Sequence, residues 1–101
     1  MLLVTIDTLR YDRLGIYGHR GQTSPRLDAI GRDGAVFEHA ACDVRWTSAS
    51  MASVFTGRYA TYHGVQLGTD RLSDDAVTLA EVARGHGYRT AGVIASFPLA
   101  V

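Results

Sequence analysis

Leu2-Leu3-Val4-Thr5-Ile6 is apolar or β-branched almost without a break, and the run stops abruptly at Asp7. A strand covered on both faces reads this way, because no position along it meets water. A segment of this kind obliges the rest of the chain to supply neighbouring strands and the helices that cover them. It also sets a carboxylate at the strand's carboxyl end, where open parallel sheets bind their ligands.

The following residues alternate in the required way. Residues 8–24, with Arg10, Asp12, Arg13, three glycines and two tyrosines, read as a structured loop with one helical turn. Ser24-Pro25 reads as an N-cap with proline at the first helical position. Leu27 and Ile30 give a short apolar face, and Gly34 predicts a left-handed stop. Ala35-Val36-Phe37-Glu38-His39 is a second predicted strand. A connection through Arg45-Trp46 leads to Thr47, where a helix should begin. That helix carries Met51, Ala52, Val54 and Phe55 and ends at Gly57. Tyr59 to Leu72 reads as loop. Ser73 or Asp74 should cap a third helix through Arg84, stopped by Gly85 and Gly87, and Tyr88 to Ser96 is the third predicted strand. The order of strand, helix, strand, helix, helix, strand predicts an α/β fold with a mainly parallel sheet. No repeat, low-complexity tract or linker divides the chain.

Composition narrows the functional classes. Of the 101 residues, 47% are hydrophobic and 20% charged, too apolar for an intrinsically disordered chain. Ten basic residues, all arginine, balance ten acidic ones. A protein that grips nucleic acid through its phosphates needs a basic excess, so nucleic acid is not an expected partner. One cysteine, Cys42, permits no intrachain disulfide and no multi-cysteine metal cluster. No apolar run approaches the ~20 residues of a membrane span, and no signal peptide follows Met1. The compartment expected is cytoplasmic if Met1 is the true start; otherwise a periplasmic or membrane-associated place stays open.

Few residues are placed for chemistry. Asp7, at a strand end, could hold a divalent cation or merely serve its own turn. Thr47 could cap its helix, with Ser50 helping to close the cap. A hydroxyl at a helix N-terminus is also well placed to attack a bound phosphate or sulfate, since unpaired N–H groups and the helix dipole favour an anion there. Both readings predict the same local structure. No two of His19, His39, His63 and His86 sit at i, i+4 on one helix, the spacing of a metal motif. His63, just after the Thr47 helix, is the histidine nearest the expected site.

These residues also carry a family resemblance. Leu3 to Arg10, Asp12-Arg13-Leu14-Gly15, Tyr17-Gly18, Thr23 to Asp28 and Gly34 to Phe37 resemble the opening of the sulfatase family, in the alkaline phosphatase superfamily. Trp46 to Arg58 resembles that family's nucleophile segment, His63-Gly64-Val65 its continuation, and Thr78 to Glu81 and Gly87 to Ala91 the next helix and strand. The pieces are short, but their order and spacing extend over nearly the whole chain.

The resemblance implies an alkaline-phosphatase-like α/β/α sandwich, of which residues 1–101 are an N-terminal portion carrying only the first strands and helices. It implies a metal-dependent hydrolase of sulfuric or phosphoric esters, with Asp7 and Thr47 at the cation. Calcium or magnesium suits a carboxylate-rich site, and manganese or zinc one with histidine. Thr8, Ser50 and His63 are then candidates for substrate contact or for support of the site. Thr8 stands where the family usually has a second aspartate. In the classical Cys-x-Pro-Ser-Arg motif the cysteine becomes formylglycine; here Thr47, Ala49, Ser50 and Met51 occupy the cysteine, proline, serine and arginine positions. Oxidising threonine would give a ketone rather than an aldehyde, so formylglycine is not expected and Thr47 would attack unmodified.

The substrate expected is a small-molecule, glycan or lipid ester; oligomeric state is left open. Two alternatives stand beside this reading: a phosphodiesterase or phosphoglycerol-type transferase of the same superfamily, and a non-catalytic relative that binds an anion or a partner. A chain with only three strands and some of the metal ligands is expected to be poorly stable and inactive alone.

Overall fold

The computed structural model describes residues 1–95, which fall into two compact units, Met1–Ala41 and a second that begins at Cys42. The expectations for Ser96 and for the apolar end at Phe97 to Val101 lie outside the described residues.

The first unit holds two successive 3-10 turns, Tyr11–Arg13 and Gly15–Tyr17, and helix α1, Pro25–Asp33. Pro25 opens α1 as expected, but the Ser24 hydroxyl makes no cap bond to it. Ser24 Oγ instead donates to Asp28 Oδ1 (2.9 Å) and accepts from Gly15 N–H (3.0 Å). The same Asp28 oxygen accepts from Ile16 N–H at 2.9 Å. One turn of α1 thereby supplies the acceptors that the 3-10 turn at Gly15 lacks at its start. The approach is close at position 15: a Cβ on Gly15 would meet the Asp28 carboxylate and displace it from these bonds. Gly31 packs more loosely, with a Cβ there 3.1 Å from Ile16 and 3.4 Å from Val36. Tyr17 donates to the Phe37 carbonyl at 2.9 Å and meets Tyr11 edge-on, with ring centroids 5.8 Å apart. Gly34 ends α1 in an extended conformation (φ −124°, ψ −155°), not the expected left-handed one. Its N–H reaches back to Gly31 O, which closes the helix without a positive φ.

The second unit contains α2 (Thr47–Thr56), α3 (Ala60–His63) and α4 (Leu79–Gly85). Helix α2 begins and ends as the sequence predicts, with Gly57 left-handed at φ 66°. Its small face, Ala49 and Ala52, is buried with Val65, and Val44 and Leu72 pack against this cluster. Small side chains at i and i+3 let neighbouring backbone approach closely on one side of the helix. Helix α3 lies in a segment expected to be loop. Its first N–H, on Ala60, donates to Asp43 Oδ2 at 2.6 Å, so a carboxylate seventeen residues away caps it. Periodicity cannot register such a cap. Helix α4 begins at Leu79, not near Ser73. Thr78 and Glu81 form a full capping box, with the Glu81 carboxylate accepting from Thr78 N–H (2.8 Å) and the Thr78 hydroxyl accepting from Glu81 N–H. Ser73 turns its hydroxyl to Asp75 N–H and its carbonyl to Ala76 N–H, and so makes a local turn.

The three predicted strands form no β-ladder among the described residues. Leu2, Val4 and Ile6 are exposed, as are Phe37, Val93 and Ile94. An apolar β-branched run acquires strand structure only when a neighbouring strand takes up its N–H and C=O groups. Leu2–Ile6, Ala35–His39 and residues 88–95 have no such neighbour here. No described helix is long and apolar enough to cross a membrane.

Candidate functional site

In the first unit, Asp7 and Thr8 form an exposed turn. Thr8 has φ 53°, a left-handed conformation that β-branched residues rarely adopt. Strain of this type costs about 1–3 kcal/mol and is concentrated at working sites. The chain therefore bends sharply at the position that follows Asp7. Nearby, Arg10 and Asp12 form a two-pronged pair, Nε–Oδ1 at 2.9 Å and Nη2–Oδ2 at 2.6 Å. The pair holds the Asp12 carboxyl below its usual range, chiefly through the Arg10 hydrogen bonds. Asp12 is thereby engaged with its neighbour in the same turn.

In the second unit, Thr47 is the first residue of α2 and is half-buried. The N-cap position belongs to Trp46, which makes no side-chain cap bond. The structure thus places Thr47 one residue inside the helix, with Trp46 at the extended position from which a capping threonine would act. The helical ladder starts with Ser50 N–H on Trp46 O at 2.9 Å, so the N–H groups of the first turn precede it.

The segment after α3 supports this helix start. A Cβ on Gly68 would lie 3.1 Å from Trp46 Cε3, so the indole lies close against the backbone at Gly68. Ser48 donates to Leu67 O at 3.4 Å. The loop itself is pinned by Asp70, whose Oδ2 accepts from Gln66 N–H (2.9 Å) and Leu67 N–H (2.8 Å). Those two bonds hold the Asp70 carboxyl below the ordinary range, with Leu67 the larger cause.

His63 closes α3 and is only 9% exposed. Val65 N–H donates to its Nδ1 at 3.1 Å. In the neutral ring that assigns the proton to Nε2, which lies 2.9 Å from Ser53 Oγ and donates to it. The Ser53 proton is shared between Asp43 Oδ1 and Ala49 O, both at 3.3 Å. Asp43 is held below the usual carboxyl range, first by the Ala60 N–H, then by its own backbone N–H and the Ser53 hydroxyl. Asp43, Ser53 and His63 therefore form one connected network joining α2, α3 and the segment ahead of α2. Ser53 lies six residues past Thr47, about 9 Å along the helix axis. His63 is thus placed against the middle of α2 and not at its first residue. A shallow cleft of about 210 Å³, lined by residues including Arg58, Tyr62, His63, Ser73 and Asp75, opens beside it.

Sequence reasoning picked out Asp7, Thr8, Thr47, Ser50 and His63. It missed Asp43, Ser53 and Asp70, and the packing of Trp46 on Gly68. Asp70 left a local trace, a carboxylate three and four residues after the N–H groups it binds. Asp43 left none, because its partners Ser53 and Ala60 lie 10 and 17 residues on with no shared period. Among the described residues, no three His, Cys, Asp or Glu side chains gather as a metal site. Asp7 offers the hard oxygen that calcium or magnesium prefers, but a cation of this type takes six or more ligands. The donor type fits.

The sulfatase family model matches residues 1–96. Among curated proteins, arylsulfatase A of Bos taurus is 36% identical over 107 residues, a match covering all of this chain and 21% of the relative. Arylsulfatase A of Homo sapiens is 35% identical over 96 residues, covering 89% of this chain and 19% of the relative. Steryl-sulfatase of Mus musculus is 29% identical over 101 residues, covering 89% and 16%. The chain thus spans about a fifth of the length of these relatives. No solved structure matches it significantly.

Proposed function

Because this chain belongs to the sulfatase family, we propose that it forms the nucleophile-bearing portion of a hydrolase of sulfate esters. The observation that carries the reading is Thr47, a half-buried hydroxyl at the first residue of a ten-residue helix, in the segment that resembles the family's nucleophile motif. The relatives' names point to aryl and steryl sulfates as the kind of ester to try first. In this reading Thr47 Oγ loses its proton and attacks sulfur in line. The new O–S bond forms as the bond to the leaving alcohol breaks, and the departing oxygen takes up a proton. Water then cleaves the threonine sulfate ester and restores the hydroxyl. The first-turn N–H groups of α2 and its dipole favour the anionic group during both steps. Asp7 would contribute a carboxylate to a divalent cation, calcium or magnesium before manganese or zinc. Since the described residues gather too few ligands, no step is assigned to that ion. The three apolar segments at 2–6, 35–39 and 88–95 suit the α/β/α sandwich expected for the family.

A threonine nucleophile also favours a second reading, phosphate ester cleavage or transfer, because an unmodified hydroxyl suits phosphorus as well as sulfur. Matched aryl sulfate and aryl phosphate esters, assayed with the full protein that contains this chain, separate the two. Thr47→Ala should lower turnover of the preferred ester by a factor of ~10³ or more, while Thr47→Ser, which keeps a hydroxyl, recovers a substantial part. Undiminished turnover in Thr47→Ala removes Thr47 as the nucleophile in both readings, whereas no turnover of either ester by the full protein would leave a non-catalytic, anion-binding relative.

A further inference from the structure

We infer that His63 is a positioning residue: through Ser53 it fixes the helix that carries Thr47, and it neither binds the cation nor transfers a proton. The inference rests on the reading of Thr47 as nucleophile. Both imidazole nitrogens are committed inside the second unit, Nδ1 to Val65 N–H at 3.1 Å and Nε2 to Ser53 Oγ at 2.9 Å. A metal ligand needs one nitrogen lone pair facing outward, and a general base needs the same. Neither is left in this arrangement. The geometry instead forms a clamp. His63 ends α3, Ser53 lies within α2, and Val65, 1% exposed, packs on the Ala49 and Ala52 face of the same helix. One ring thus ties the chain after α3 to α2 from two directions.

The Ser53 hydroxyl extends the clamp to Asp43, which also caps α3 through Ala60. Loss of the ring would leave Ser53 and Val65 N–H short of a partner in a poorly hydrated place, and the helix would settle into a shifted position. A nucleophile displaced by an ångström can lose about 10²-fold in rate without losing its substrate. The effect belongs in kcat.

The test uses the full protein with whichever ester it turns over, comparing His63→Ala, His63→Gln, Ser53→Ala and the double variant Ser53→Ala with His63→Ala. His63→Ala should lower kcat ~10-fold or more per folded molecule, with KM changed less than ~3-fold. His63→Gln, whose amide N–H can take the place of Nε2, should recover most of that loss. The double variant should be no slower than the worse single, because both act through one contact. The pH–rate profile of His63→Gln should keep the wild-type limbs. Hydrogen exchange of residues 47–56 should be faster in His63→Ala than in the wild type.

Unchanged kcat in His63→Ala, with only a lower Tm, would reduce the ring to a structural filler and overturn the inference. Losses that add in the double variant, or a limb missing from the His63→Gln profile, would overturn it too, the latter by making His63 a proton-transfer group. Should Thr47→Ala prove fully active, the nucleophile reading fails instead. Hydrogen exchange then still decides whether His63 holds α2, with unaltered protection in His63→Ala counting against it.

Discussion

The two units hold their candidate residues by opposite means. In the first, Ser24 is the buried side chain, and no hydrophobic residue is buried. Its organisation rests on polar contacts of Ser24 and Asp28 to the N–H groups of Gly15 and Ile16. In the second, Ala49, Ala52, Ala60 and Val65 are buried, and the polar network of Asp43, Ser53 and His63 is added to that core. The hydrophobic effect acts without direction, whereas a hydrogen bond to a backbone N–H weakens as its distance and angle depart from the preferred range. Asp7 is thus carried by an exposed turn in a unit held by direction-dependent contacts. Thr47 is carried by a helix wedged on a small apolar core and then oriented by polar ones.

The largest stability effect should come from breaking the first unit's lock. Asp28→Ala removes the acceptor of both Ile16 N–H and the Ser24 hydroxyl, in a partly buried place. It should cost about 2–3 kcal/mol, read as a lower Tm and faster exchange at residues 14–17. A change no larger than that of a surface substitution would mean that the first unit is not held by this lock. Val65→Ala should follow in the second unit. Two buried carbons' worth of apolar surface, plus the cavity they leave, predicts a loss of about 2 kcal/mol in chemical denaturation. An equal loss with wild-type exchange at residues 47–56 would remove Val65 from the support of α2.

The smallest effect sharpens the polar half of the second unit. Asp43 has its folded carboxyl pKa below the unfolded value of about 3.9. A lowered pKa means that the charged form is favoured by folding. Its contribution is therefore complete above roughly pH 5 and is lost as pH falls through the lower folded value. Protection of the amides at residues 60–63, taken relative to their intrinsic exchange rates, should fall over that acid range in the wild type. Asp43→Asn should already exchange faster at neutral pH and show a flatter response. Identical acid profiles for the two would show that Asp43 does not cap α3.

Some of this was legible from residue order. The end of helix α2 is legible because Gly57 announces its left-handed stop, and its start at Thr47 lies within one residue of the position that the cap pattern indicates. Proline at the start of α1 worked for the same local reason. The start of α4 was misplaced because Ser73, Asp74 and Thr78 all resemble caps, and only Thr78 has a glutamate three residues on that closes a box. The one-turn helix α3 was missed because its cap comes from Asp43. The strands predicted at 2–6, 35–39 and 88–96 follow from apolar patterns, but a strand is a property of a pair, and no ladder forms among the described residues. At the candidate site, residue types pointed to Asp7, Thr47 and His63. What His63 does depended on which atoms its two nitrogens meet.

The sequence by itself determined family membership, through the order of motifs along the chain, and whatever depends on neighbours a few positions away: the end of α2, the proline start of α1 and the position of Thr47 at a helix beginning. Short-range periodicity and turn chemistry are written in adjacent residues. Tertiary structure alone decided that Ser24 serves Gly15 and Asp28 instead of capping its own helix, that Trp46 takes the cap position ahead of Thr47, and that Asp43, Ser53 and His63 converge. Each of these joins groups ten or more residues apart, or selects one partner among several that a side chain could reach. Only a chain folded back on itself makes that selection, because a hydrogen bond needs its donor and acceptor within a narrow range of distance and angle.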